Sequence, residues 1–220
     1  MKLAEGLYIY PERGFPDCNV YVIGDERLAV VDPGGPGALS LRLREMEADG
    51  LEVARIELIL HTHLHLDHYG ANRALRDRTG ARILLHPLQR LHRRTSVVEV
   101  ARFFGLRPVE FEDDGDLPEE ELSLGGRRLR LLPVPGHSPD SIAIWCEEEG
   151  WMICGDLLFQ GSTGRVDLPG GSPSQLKASI ERVAELPLEL LLPGHLGVLR
   201  GRSEIQRNFD FVRRYVFPWL

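Results

Sequence analysis

The sequence predicts an α/β fold of four layers, an αβ/βα sandwich in which two sheets pack face to face with helices on both outer sides. Three features point to it. Short runs rich in Val, Ile, Leu and Tyr recur between Gly, Pro and Asp turn signals, as strands do. Stretches with apolar residues at helical spacing are interleaved with them. The order is strands, then helix–strand alternation, then strands again, then helix–strand–helix, so the two halves share a plan without a fixed-period repeat. No linker-like stretch divides the chain, and residues 1–220 are expected to form one domain, long enough for a well-buried core.

The elements follow in order. "LYIY" (7–10), "NVYVIG" (19–24) and "LAVVDP" (28–33, with its turn) read as short strands. "GALSLRLREMEADG" (37–50) carries leucines and Met46 at helical spacing and stops at Gly50. "RIELILHTH" (55–63) returns to a buried-strand pattern, "YGANRALRDRTG" (69–80) reads as a helix closed by Gly80, and "ARILLHP" as another strand. Residues 88–124 are less regular: "SVVEVARFFG" is a short helix candidate, and "EFEDDGDLPEEE" a broken acidic loop expected to be a solvated face. "RRLRLLPV", "SIAIWC" and "GWMICGD" are three strands, the last two a hairpin around "EEEG". "SPSQLKASIERVAEL" (172–186) is a helix with Ser172 as cap, Pro173 in its first turn and Gln175 completing a capping box. "LELLLPGH" is a last buried strand and "RSEIQRNFDFVRRYV" a last amphipathic helix.

Composition is that of an ordinary globular protein, 43% hydrophobic and 27% charged. A net charge of −7 argues against a nucleic-acid partner, which would favour a basic face. Arginine outnumbers lysine 24 to 2, a bias that reports genome composition or heat adaptation rather than function. No run approaches the ~18 apolar residues of a membrane span, and "MKLAEGLYIYPE" has no apolar signal-peptide core, Glu5 interrupting it. Cys18, Cys146 and Cys154 are odd in number and form no CxxC. They fit buried thiols in a reducing compartment, so a cytoplasmic location with no membrane partner is expected.

The chemistry is announced by "LILHTHLHLDHYG" (58–70), an apolar run that ends in four histidines and an aspartate. Imidazoles titrate near neutrality and make poor core filler. Other apolar strands also end in metal-ligating types: "VPGHS" at His137, "ICGD" at Asp156, "LLPGH" at His195, and "AVVDPG" at Asp32. Residues just past strand ends collect along one edge of a sheet, where loop-borne chemistry is placed. The set suits zinc, iron or manganese. Extended chain through His63 and His65 points both side chains one way, and a turn into the helix near Tyr69 swings Asp67 and His68 toward a second position. The glycines in "PGH" and "CGD" relieve the backbone where it leaves the sheet. His61 falls outside this register and is expected to pack beneath the site; His86 and His92 are ordinary surface or strand-end residues, and Cys154, Trp145 and Trp151 are core.

T-H-x-H-x-D-H (62–68), followed in order by G-H-S (136–138), G-D (155–156) and G-H (194–195), with Asp32 in "VVDPG", resembles the metallo-β-lactamase-fold superfamily from about the first strand to His195. The resemblance implies one metal held by His63, His65 and His137, a second by Asp67, His68 and His195, and Asp156 bridging both. It implies that Asp32 orients the site rather than ligating, and that Asp67 and Asp156 are the catalytic carboxylates. Two divalent cations, zinc in the first place with iron or manganese also suited, would bring a shared water's pKa toward neutrality and polarise a substrate carbonyl. No protein nucleophile is needed, and no G-x-S-x-G is present. "GDLLFQGSTGRVDLPGG" (155–171) is similar to the glyoxalase II-related hydrolases, which implies hydrolysis of a small-molecule thioester of the S-lactoylglutathione type. Arg165 is then a substrate-binding candidate, or else a salt-bridge partner of Asp167. A mononuclear iron persulfide dioxygenase using His63, His137 and Asp156 is the alternative, and a lactonase a further one.

Overall fold

Lys2–Ala4 (β1), Leu7–Tyr10 (β2), Val20–Ile23 (β3) and Leu28–Val31 (β4) open the chain as an antiparallel run in the computed structural model, which describes residues 1–220. β2, β3 and β4 are buried at every residue because both faces of their sheet are covered. Leu39–Ala48 (α1) turns Leu39, Leu43 and Met46 inward. Ile56–Leu60 (β5) then lies parallel to β4. The short helices Leu66–Tyr69 (α2) and Asn72–Thr79 (α3) lead to Arg82–Leu85 (β6), parallel to β5. α3 is stopped by Gly80 in the left-handed region, as the sequence predicts. A helical arm follows: Pro87–Arg93 (α4), a wider π-type stretch over Arg94–Glu99, and Val100–Phe103 (α5). Gly115–Asp116 (β7) completes a seven-stranded sheet in the order β1 to β7.

The second half supplies Glu121–Leu124 (β8), Arg127–Pro133 (β9), Ile142–Cys146 (β10) and Trp151–Gly155 (β11), with β10 and β11 forming the expected hairpin. Leu158–Phe159 (β12) and Ser162–Thr163 (β13) pair with each other. Pro173–Ala184 (α6), Leu190–Pro193 (β14), Leu199–Arg200 (β15) and Arg202–Tyr215 (α7) follow, and the six-stranded sheet runs β15-β14-β11-β10-β9-β8. Between the sheets, Leu7, Ile9, Tyr21 and Val31 meet Leu131, Ile144, Ile153 and Leu192. Alternate residues point the other way, as strand periodicity requires. Tyr8, Val22 and Val30 share a core with Leu43, Met46 and Leu75, while Trp145, Met152 and Cys154 share one with Ile180, Val183 and Phe209. The four layers are therefore αβ/βα. No helix is long and apolar enough to cross a membrane.

Two local expectations need correction, and a third gains detail. The acidic 110–121 run is mostly solvent-exposed, as expected, but it is anchored at two points: Asp113 accepts from Arg93 (2.8 Å) and Arg90, and Asp114 from Arg76 (2.8 Å) and the Ile83 N–H (2.9 Å). These arginines, on α3 and α4, tie the segment down beside β7. The short helix of 96–105 is part of a longer arm that begins at Pro87. Ser172 does accept from the Gln175 N–H (3.4 Å), but its own N–H donates to the Gly136 carbonyl (2.7 Å), so the reciprocal half of the capping box has no donor left to satisfy.

Candidate metal centre

β4, β5, the β9–β10 loop, β11 and β14 end along one rim and deliver Asp32, His63 with His65, His137, Asp156 and His195 to it, while α2 carries Asp67 and His68. Three overlapping groups result: His63, His65 and His137; His63, His68 and Asp156; Asp67, His68 and His195, each with its donor atoms within 4.8 Å of one another. Asp156 stands in the middle. Its Oδ1 is 3.3 Å from His68 Nε2, and its Oδ2 is 3.5 Å from both His137 Nε2 and His195 Nε2. Asp67 Oδ2 lies 3.3 Å from His195 Nε2 and 3.8 Å from His68 Nε2.

The outward nitrogens explain the inward ones. His68 Nδ1 donates to Asp32 Oδ2 (3.0 Å), His137 Nδ1 to the Arg165 carbonyl (2.7 Å), and His195 Nδ1 to Glu12 Oε2 (2.7 Å). Thr62 Oγ1 spends its proton on Asp32 Oδ2 (2.6 Å) and so accepts from His63 Nδ1 (3.1 Å). Each of these four rings, when neutral, must then present an Nε2 lone pair to the centre, a tautomer fixed by the partner on its far side. Asp32, itself buried, also accepts from the Thr62 N–H (2.8 Å), so its three accepted bonds fix the His68 ring and the Thr62 that anchors His63.

Electrostatics agree with this arrangement. Burial, with the neighbouring imidazoles adding to it, holds His63 well below its usual range and His65 down at about 3, leaving both neutral. Burial also opposes charge on His68, yet Cys18, Asp156, Asp32 and Asp67 together carry it well above its usual range; the same contest, won by Asp67 and Asp156, raises His195 to about 9. Desolvation alone would raise Asp156, but His68, His137 and His195 hold it well below the carboxylate range. The carboxylates thus demand positive charge, which in the absence of a cation the rings of His68 and His195 meet by holding protons.

Divalent cations fit this demand. Nε2 of His63 and His68 and Oδ1 of Asp156 are buried with no hydrogen-bond partner, and His65 turns its Nδ1 to His137 Nε2 (2.8 Å). Unpartnered acceptors are costly in a protein interior unless something coordinates them. Space is also shaped for it: a Cβ on Gly194 would lie 2.3 Å from Asp156 Oδ1 and 2.8 Å from His68 Cε1, so only glycine lets β14 pass the site. On the solvent side a cavity of about 290 Å³ opens onto His65, Asp67, His137, Asp156 and His195.

The remaining candidates fall as follows. His61 is buried beneath the site, Nε2 on Asn72 Oδ1 (2.8 Å), outside the donor set. His86 caps α4 from a strand end but is buried rather than on the surface, and Cys154, Trp145 and Trp151 are core. Arg165 lines the cavity, and its Nε and Nη2 chelate Asp167 at 2.7 and 2.6 Å. Two contributors carry no local signal in the sequence. Glu12, in the loop after β2, grips both His195 and the Leu196 N–H (3.0 Å) from 183 residues away in the chain. Asp140 is fully buried and accepts from the Leu64 N–H (2.9 Å) and Ser96 Oγ (2.5 Å), fixing the backbone between His63 and His65.

Comparison with known proteins extends the picture. A family model described as the metallo-beta-lactamase superfamily matches residues 13–195. The probable metallo-hydrolase MJ0888 of Methanocaldococcus jannaschii is 32% identical over 185 residues, covering 80% of this chain and 86% of that protein. The hydroxyacylglutathione hydrolase GloC of Haemophilus influenzae is 31% identical over 190 residues, covering 81% and 84%. Among solved structures, TTHA1623 in a di-iron-bound form is similar at a TM-score of 0.73 and 32% identity, over 93% of this chain and 97% of that one.

Proposed function

The chain belongs to the metallo-beta-lactamase superfamily as a metallo-hydrolase, and on that premise we propose that it hydrolyses thioesters of the S-lactoylglutathione type, with two divalent cations at the histidine–aspartate centre. The observation that carries this reading is the set of four imidazoles anchored through Nδ1, their Nε2 atoms converging on Asp156 beside an open cavity. The likeness to hydroxyacylglutathione hydrolases supports the thioester, and the di-iron neighbour supports two metals, with zinc or iron suited to these donors.

His63, His65 and His137 would hold one cation, Asp67, His68 and His195 the other, and Asp156 would lie between them. Such cations supply Lewis acidity, polarising a carbonyl and acidifying water. The chain does the rest. Asp67 is a quarter exposed on the cavity side and is placed to take a proton from an attacking water. Asp156, covered on most sides, keeps the two halves of the site in register. His137 and Arg165 are joined through the Arg165 carbonyl, so the loop that borders the substrate also fixes a ligand ring. No serine or cysteine nucleophile takes part; Cys154 is buried with its thiol raised to about 12.

The test is metal analysis of the purified protein followed by thiol release from S-lactoylglutathione and simple acyl thioesters, with a lactone as comparison. Two metals and thioester cleavage abolished by His137→Ala and Asp67→Ala are expected. One iron with thiol-dependent oxygen uptake and no thioester cleavage would overturn the hydrolase reading.

A further inference from the structure

We propose that the group this enzyme accommodates beside its metal centre is an aliphatic acyl chain of on the order of four to eight carbons, so that neutral medium-chain acyl thioesters are better substrates than thioesters of the charged glutathione tripeptide. The inference rests on the thioester-hydrolase reading and narrows it.

Apart from the metal donors, the cavity wall is apolar: Leu66, Val97, Val100, Ala101 and Phe104 from α2 and the helical arm, with Phe159 opposite. Only two other polar side chains reach it, and both are engaged within the protein. Ser96 Oγ donates to the buried Asp140 at 2.5 Å, and Asp140 is itself fixed by the Leu64 N–H. The Arg165 guanidinium is chelated by both oxygens of Asp167, and it stands 5.7 Å from the centre of the Phe104 ring. Glutathione carries two carboxylates and an ammonium. Arg165, whose pair with Asp167 is solvent-exposed, could serve one of them at little cost, but the wall holds no donor or acceptor for the other two, and a polar group buried without a partner is costly.

The mouth continues the same surface, since Phe104 and Leu106 remain 44% and 45% exposed at its edge. Size agrees as well. About 290 Å³ is at the small end of ligand pockets. At roughly 30 Å³ per water-sized group it admits a short chain and little more.

The experiment measures kcat/KM for acetyl, butanoyl, hexanoyl and octanoyl thioesters of N-acetylcysteamine, a neutral thiol, alongside S-lactoylglutathione. Burial of a methylene in an apolar site favours binding by roughly fourfold. The expected gain is about threefold to fourfold per methylene up to the length the cavity holds, with S-lactoylglutathione at least tenfold below hexanoyl. Ala101→Phe fills the cavity and should flatten or invert the chain-length slope; should that variant misfold, the surface change Phe104→Ser should lower the slope instead. Calorimetric titration of the metal-loaded protein with octanoate, acetate and reduced glutathione gives a readout without turnover, with octanoate at least tenfold tighter than either. Cleavage of the whole series at a flat rate, or glutathione binding as tightly as octanoate, overturns the proposal while leaving the hydrolase reading intact. Octanoate binding without cleavage of any thioester overturns the hydrolase reading while leaving the apolar occupant.

Discussion

Glu12→Gln separates the ligand from what holds it. The native carboxylate receives two N–H donors, His195 Nδ1 at 2.7 Å and Leu196 N at 3.0 Å, one on each oxygen. Glutamine keeps the shape but has one acceptor oxygen, and its amide NH₂ must face the other donor. If the oxygen stays with Leu196, His195 loses the bond that fixes its tautomer, and its Nε2 is no longer committed to the centre. A hydrogen bond to a charged group contributes about 1.5–3 kcal/mol. The Glu12 side chain is 32% exposed, so the low end of that range applies, about 1.5–2 kcal/mol, or roughly 10- to 30-fold in affinity. Competition of the metal-free variant against a chromophoric chelator reads this directly. One of two dissociation constants should rise by that factor and the other stay within about twofold, because His63 and His137 have anchors of their own. Unchanged constants, or an equal rise in both, would refute the assignment of Glu12 as the positioning residue of His195.

Three further outcomes follow from the same geometry. Gly194→Ala places a Cβ 2.3 Å from Asp156 Oδ1, and its product should keep native far-UV circular dichroism yet bind less than half the normal metal; full stoichiometry by elemental analysis would contradict the packing argument. Stripping the metals by chelation should cost about 2.7 kcal/mol per site for a cation at 100 times its Kd. In the stripped protein His68 and His195 are raised above 6.5, His195 to about 9, so their stabilising protonation is complete below pH 6.5 and is lost as pH rises through about 9. The gap in Tm between loaded and stripped protein should therefore widen from pH 6.5 to 9, and a constant gap would contradict the sign. Arg42→Met removes a fully buried guanidinium that donates to Asp17 and to the Cys18 carbonyl (2.8 Å) and leaves Asp17 buried without its cation. Urea denaturation should show a loss of about 3–5 kcal/mol, and a loss below about 1 kcal/mol would mean that the Arg13 and Gly35 N–H groups suffice for Asp17.

The strands, the face-to-face sheets and the residues gathered at their ends were legible because each is a short-range signal. Alternation marks β5, and ligand types past the ends of β5, β11 and β14 need only the rule that strand ends share an edge. Of the helical arm only 96–105 is legible, where packing of Val97, Val100 and Ala101 supports a helix despite the β-branched "SVVEV"; its start at Pro87 rests on the His86 cap, which the sequence does not flag. The anchoring of the acidic run is not legible because its partners, Arg76, Arg90 and Arg93, precede it by some 20 to 40 residues on other elements. Glu12 was invisible for a stronger reason. Nothing near "YPERG" distinguishes it from any loop glutamate, and only the completed sandwich brings it to His195.

The metal donors ride on the ends of sheet strands and on the short α2, whereas most of the wall facing them rides on the arm between β6 and β7, which belongs to neither sheet. Chassis and tooling are bolted together at the near end of the arm, by the Gln89 amide on the His61 carbonyl (2.8 Å), Ser96 on Asp140, Arg90 and Arg93 on Asp113, and Val97 in the core. The far end, residues 103–106, is largely exposed beyond those fastenings, which makes it the place to graft a new appetite onto an old reaction.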